Sequence, residues 1–283
     1  MLESNIDMSR LRISAISYLN TVPLMWDFEH GTAGADFDIS YTVPSACAAA
    51  LKAGTADIGI IPAAAYTQIP DLVVLPGVGI AARRPVRSIL LVSKVPLNEI
   101  RTVALDSSSM TSVALTKVLF ERWLGAGRTF DSMAPNVEVM LVEHDACLVI
   151  GDTALRVDRA RHYTFDLAEE WIRFTGKPFV FAFWAVRRQA LENSALDLPA
   201  IFQASCEHGL QPQNVLQIAR EWAPKVGISE EDVRQYLTEN IHYQLDAGCL
   251  EGLQLFYHYA AEVGALPAAP PLQFLEADKL VNT

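Results

Sequence analysis

The chain has 283 residues, 51% of them hydrophobic, and its 22 basic and 33 acidic side chains give a formal charge of −11. That length suits one large domain or two lobes around a sizeable core. So acidic a chain is excluded as a natural nucleic-acid binder, and any anionic ligand needs a local receptor because the global field repels it.

The opening MLESNIDMSRLRIS has no apolar h-region and no cleavage-site pattern, so no export signal is expected. No apolar run approaches the roughly 20 residues of a membrane helix. Cys47, Cys147, Cys206 and Cys249 lie far apart in apolar or helical contexts, without a CxxC spacing. They read as neutral buried thiols in a reducing cytoplasm.

In chain order, Leu11–Ile16 reads as a strand and Phe37, Ile39, Tyr41 and Val43 as the alternating side of a second. Pro44–Ser45 opens an Ala-rich helix with Ser45 available as a cap, and Gly54 closes it. Asp57–Ile61 is a short strand stopped by Pro62. Leu72–Leu75 and Ser88–Val92 read as strands joined by a Gly- and Arg-containing loop. Thr102–Leu105 is a strand that runs through a hydroxyl cluster into a helix, with Val113, Leu115, Val118 and Leu119 as core positions. Val137–Val142 and Ala146–Ile150 read as strands, Asp166–Thr175 as a helix closed by Gly176, and "KPFVFAFWAVRR" as a long apolar strand. From about Gln189 helical periods dominate: Leu196–Gly209, Gln213–Trp222, Ser229–Leu245 and Leu250–Gly264. The alternation of strands and helices predicts an α/β fold with a helical tail that covers a sheet or braces two lobes.

Few segments carry chemistry. Ser107, Ser108, Ser109, Thr111 and Ser112 sit between a strand and a helix, where free N–H groups and a partial positive charge make a neutral anion receptor. Capping alone needs only one of these hydroxyls. Arg83, Arg84 and Arg87 precede Ser88; they suit carboxylate contacts or a solvated loop, and Ser88 by itself carries little signal. Gly151–Asp152 follows a strand's carboxyl end, the rim where open α/β sheets bind ligands, or it is an ordinary turn and cap. The six histidines show no metal-ligand spacing, so no metal is expected. Nucleotide phosphate loops and a GxSxG elbow are absent from the sequence. Most carboxylates fall on solvated helix faces, and "FVFAFWAV" reads as core, with Phe181 or Trp184 able to wall a pocket.

Together "SYLNTVPL", "SSSMTSVALTKVLF" with "VIGDTALR", and "GKPFVFAFWAVRR" resemble the chorismate dehydratases of the futalosine route to menaquinone, as does "ALKAGTADIGIIPAAAY". The resemblance runs from about Ile13 to Arg188 and more loosely through the tail. It implies a two-lobed fold like type II periplasmic binding proteins, with mixed sheets flanked by helices and the ligand in the cleft. Lobe one would take residues 1–92 and 181–283, and lobe two residues 93–180. The implied reaction is loss of water from chorismate to give 3-[(1-carboxyvinyl)oxy]benzoate, a hydro-lyase step without cofactor.

The same resemblance implies Asn20 and Ser88 as catalytic residues, Ser109, Thr111 and Ser112 as receivers of a substrate carboxylate, and Gly151 and Asp152 as the loop facing the cleft. One departure stands out: the family's S-R-T-S motif has Met110 at the Arg position here, which removes a cation near a doubly charged substrate. The sister enzyme, 1,4-dihydroxy-6-naphthoate synthase, is similar in fold but has a catalytic His, so "SYLN" favours the dehydratase. A non-catalytic binding protein for a small carboxylate is the alternative from another class. The oligomeric state is left open.

Overall fold

The structure is a computed structural model that describes residues 10–192 and 194–275. Most of the opening segment behind the export reading, Met1–Ser9, lies outside the described residues. The chain first forms β1 (Leu11–Ile16), β2 (Phe37–Thr42), β3 (Ile58–Pro62) and β4 (Leu72–Ala82). It then forms β5 (Ile89–Ser93), β6 (Thr102–Asp106), β7 (Thr129–Met133), β8 (Ala146–Ile150) and β9 (Tyr163–Asp166), and returns with β10 (Phe179–Arg187) and β11 (His242–Leu245). Two mixed sheets result. One has the order β11-β4-β10-β3-β1-β2 and the other β7-β6-β8-β5-β9.

β10 runs antiparallel to both β3 and β4 at the middle of the larger sheet. Every residue from Phe179 to Val186 is buried, because both faces of the strand are covered; this is why it reads as an unbroken apolar run rather than an alternation. β5 and β8 have the same character in the smaller sheet. The edge strand β2 is the opposite case: Phe37 is buried, but Tyr41 is 46% exposed, so its expected apolar side is only partly covered.

Several expectations give way to tertiary context. Leu72–Ala82 is one continuous strand. It passes through Pro76–Gly77, with Gly77 at φ +83°, because its pairings with β10 and β11 shift register at bulges. Val137–Glu143 is a helix rather than a strand. Asn136 caps it by accepting from Val139 N at 3.0 Å, and the covered positions Val137, Met140, Leu141 and His144 fall at helical spacing. The expected helix over Ser229–Leu245 ends early: Glu230–Gln235 is α-helical, Tyr236–Asn240 is a π turn, and His242–Leu245 becomes β11 beside β4. Ser45 is not the cap of its helix; it sits inside Pro44–Ala53, whose side chains supply no capping bond. Gly54 and Gly176 do close their helices in the left-handed conformation.

The sheet changes between Ala82 and Ile89 on the way out and between Asp166 and Phe179 on the way back. The sequence boundary at 92/93 therefore falls too late. Ile89–Val92 pairs with β8 and β9, so it belongs with the second sheet. Phe179 and Val180 likewise pair with β4 in the first. Among the described residues no helix is long and apolar enough to cross a membrane.

Candidate active site

The carboxyl ends of β1, β3, β6 and β8 open toward one gap between the sheets, the position where open α/β sheets hold ligands. A cavity with about 460 Å³ of empty space, counted with its open mouth, lies there. The segment after β1 gives it Tyr18 and Asn20, and the helix start after β6 gives it Ser109, Met110, Thr111 and Ser112. Gly151 closes the end of β8, while Phe181 and Ala182 form the wall from β10. Five of the seven site residues expected from sequence therefore meet in one cavity. Ser88 and Asp152 are the other two.

Asn20 lies in the short 3₁₀ helix Leu19–Met25. The Tyr243 hydroxyl donates to its backbone carbonyl at 2.9 Å. Among the described residues its Oδ1 accepts only a long bond, 3.4 Å, from Thr21 Oγ1. The amide is thus half-buried, held by its backbone, and weakly engaged at its side chain.

Ser88 is 1% exposed and stands just behind the wall residue Ile89. Its carbonyl accepts from Gly151 N at 2.8 Å, and its hydroxyl accepts from Tyr236 at 2.8 Å. Asp152 also stands behind the wall and accepts from Leu19 N at 3.1 Å. Burial pushes its carboxyl up, against that backbone bond and nearby Arg156. Its observed work is to tie the β8 end to the Asn20 segment.

The hydroxyl cluster divides its labour. Thr111 Oγ1 accepts from Ala64 N at 3.1 Å and donates to Phe181 O at 3.0 Å. Its only proton is spent on protein, and it pins the second-sheet helix to first-sheet elements. Ser109 and Ser112 line the cavity and are not drawn into side-chain hydrogen bonds among the described residues. The first N–H that the helix takes back is Ala114, to Met110 O at 3.1 Å, so the N–H groups of Thr111, Ser112 and Val113 lack intrahelical partners. Ser108 serves a different end: its N–H and hydroxyl both donate to buried Asp106, at 2.9 and 2.6 Å. Burial pushes the Asp106 carboxyl up, and these bonds together with one from Ile150 N pull it back.

Gly151 has φ +59°, a left-handed conformation, and a Cβ there would lie 2.7 Å from the Tyr18 ring. The Tyr18 hydroxyl is 3.3 Å from Ser108 Oγ. Only glycine lets the ring come this close to the β8 end.

Among the described residues no Lys or Arg lines the cavity. Arg83 and Arg84 are exposed. Arg83 pairs with Asp246 and Arg87 with Asp232 at 2.9 Å, so the arginine loop is a bracing surface element. His242, Asp246 and Cys249 place one ligating atom each within 4.8 Å of one another, an arrangement their sequence spacing did not suggest. Arg83 already donates to His242 Nε2 at 3.2 Å and to Asp246. Burial also pushes the Cys249 thiol up to about 11, so this cluster is a poor metal ligand set as it stands.

Sequence reasoning missed Tyr18, Tyr236 and Tyr243. Tyr18 was legible inside "SYLN" as an aromatic beside the site. The other two come from the tail, more than 200 residues after Asn20, and no local pattern marks them.

Comparisons with known proteins agree on family and fold. The family described as menaquinone biosynthesis matches residues 11–262. The chain is 30% identical over 271 residues to a chorismate dehydratase from Thermus thermophilus, covering 89% of this chain and 94% of the relative. Among solved structures it is similar to protein AF1704 from Archaeoglobus fulgidus, with TM-score 0.69, 14% identity, and 91% and 98% of the two chains covered. It is also similar to the periplasmic aliphatic sulphonate binding protein SsuA from Escherichia coli, with TM-score 0.63, 17% identity, and 92% and 94% covered. At these identities the structural likenesses show the fold alone. This chain belongs to the menaquinone-biosynthesis family and carries it on a two-sheet α/β fold of the periplasmic-binding-protein type.

Proposed function

We propose that this protein is an enzyme, a hydro-lyase that removes water from chorismate to give 3-[(1-carboxyvinyl)oxy]benzoate. The observation that carries the reading is a cavity that, among the described residues, holds no cation and whose polar groups include the Asn20 amide, the Ser109 and Ser112 hydroxyls and the start of the Thr111–Leu119 helix, in a chain 30% identical to a chorismate dehydratase. The two sheets would act as two lobes around the ligand. Four free, buried cysteines fit a reducing cytoplasm.

The chemistry asks little of the protein. Breaking the C–H of the ring carbon that bears the enolpyruvyl ether and the C–O bond of the hydroxyl on the neighbouring ring carbon makes the ring aromatic, so product stability drives the step. The C–H electron pair becomes the new ring double bond as the hydroxyl leaves. The lost proton goes to the substrate's own enolpyruvyl carboxylate and then to the departing hydroxide as water. The breaking C–H is conjugated through a ring alkene to the ring carboxylate, onto which developing negative charge can spread. Ser109, Ser112 and the helix N–H groups would hold that carboxylate and favour the transition state over the ground state.

Asn20 would orient the enolpyruvyl carboxylate or the leaving hydroxyl, with Ser88 behind it. A well-held intramolecular base can gain several kcal/mol through effective molarity. The test is turnover by the purified protein and its Asn20→Ala variant. Loss of one oriented donor should lower kcat by ~10²-fold without loss of folding, and near-normal turnover in the variant removes Asn20 from the mechanism. Binding without conversion by the wild type would favour the non-catalytic binder that the SsuA-like fold also accommodates.

A further inference from the structure

The described residues offer one buried polar connection that reaches both expected catalytic groups from behind. Tyr236 is 1% exposed. It opens the π turn Tyr236–Asn240, which interrupts the tail between a helix and β11. Such turns re-aim side chains and recur at functional sites. Its hydroxyl donates to Ser88 Oγ at 2.8 Å across 148 residues of sequence. Seven residues on, Tyr243 donates to the Asn20 carbonyl at 2.9 Å. One tail segment thus grips both groups.

The direction of these bonds matters. A serine hydroxyl has one proton and two lone pairs. With one lone pair taken by Tyr236, the Ser88 proton turns away from the phenol. Burial, the largest influence on Tyr236, keeps the phenol protonated, so it stays a donor at working pH. We propose that Tyr236 is a positioning residue: its hydroxyl fixes the orientation of Ser88 behind the cavity wall, with the Ser88 proton turned away from the phenol, while Tyr243 holds the Asn20 segment by its backbone. This rests on the reading that Asn20 and Ser88 act on chorismate, and it adds a residue that does not line the cavity.

The experiment is a double-mutant cycle with Tyr236→Phe and Ser88→Ala, measuring kcat and KM on chorismate with circular dichroism and Tm on each variant. Tyr236→Phe keeps the ring and should fold. Its kcat should fall ~10-fold with KM within about twofold, the size of one lost orienting bond. In the Ser88→Ala background the same change should have no further effect on kcat. A purely structural role would move Tm and give the same kcat loss in both backgrounds. Unchanged kcat in Tyr236→Phe, or an equal loss with and without Ser88, overturns the inference while leaving the dehydratase reading intact. No turnover of chorismate by the wild type overturns both.

Discussion

Gly151→Ala separates backbone strain from contact between the two halves. At φ +59° an L-residue pays about 1–2 kcal/mol, and that strain is present in every folded form. The new Cβ would also lie 2.7 and 2.8 Å from Tyr18 Cδ2 and Cε2, well inside contact distance. Moving the ring costs a further ~1–3 kcal/mol, as in other overpacked sites. An arrangement with the two halves apart escapes that second cost, whereas a ligand enclosed by the wall needs Tyr18 and the β8 end to meet. Taking that cost at its middle value of about 2 kcal/mol, KM should rise ~30-fold, while the backbone strain lowers Tm by only about 2–6 °C. The assay is steady-state kinetics on chorismate beside thermal melts, repeated in a Tyr18→Ala background. There the ring is gone, so the increment in KM from Gly151→Ala should vanish. A KM unchanged in the single variant, or an increment that persists without the ring, refutes the reasoning.

Other expectations follow from the same geometry. Thr111→Val keeps the shape but strands Ala64 N–H and Phe181 C=O, a loss of about 1–3 kcal/mol that should appear in Tm. Ser112→Ala should leave Tm nearly unchanged and raise KM ~10-fold, because its hydroxyl is free for a charged ligand. Burial pushes the thiols of Cys47 and Cys249 up to about 11 and those of Cys147 and Cys206 up to about 12. The native protein should therefore resist alkylation near pH 8, and the unfolded chain should react at all four sites. Partial burial raises the Asp246 carboxyl, but bonds from Cys249 N, His242 and Arg83 outweigh it and bring it from 3.8 to about 2. A depressed carboxyl adds stability that is complete above its unfolded value and lost as pH falls through its folded one. Thermal melts should thus show wild type losing more Tm than Asp246→Asn between about pH 4.5 and 2.5.

What the sequence disclosed follows from how local each signal is. β10 and β8 were legible because buried strands are apolar on both faces. The helix ends at Gly54 and Gly176 were legible because glycine alone adopts their φ without cost. Ser109, Ser112 and Gly151 were legible because they follow strand ends, where the rim of an α/β sheet lies. Val137–Glu143 misled because its valines suit a strand, and only the Asn136 cap with burial at 140 and 141 turns it into a helix. β7 and β9 were missed because such short strands, in which no apolar side chain is fully buried, carry little apolar pattern. Thr111 looked like another anion donor, and nothing local reveals that Ala64 and Phe181 use up its hydroxyl. Tyr236 and Tyr243 reach the site only through the long-range fold of the tail.

The central claim is that neutral groups, without a lysine or arginine, hold a doubly charged diene beside Asn20. The most direct measurement is a crystal structure of the slow Asn20→Ala variant soaked with chorismate. The ring carboxylate should lie against Ser109, Ser112 and the N–H groups that open the Thr111–Leu119 helix, with the enolpyruvyl group toward position 20. Chorismate bound outside this cavity, or paired with an arginine drawn into it, would contradict the account.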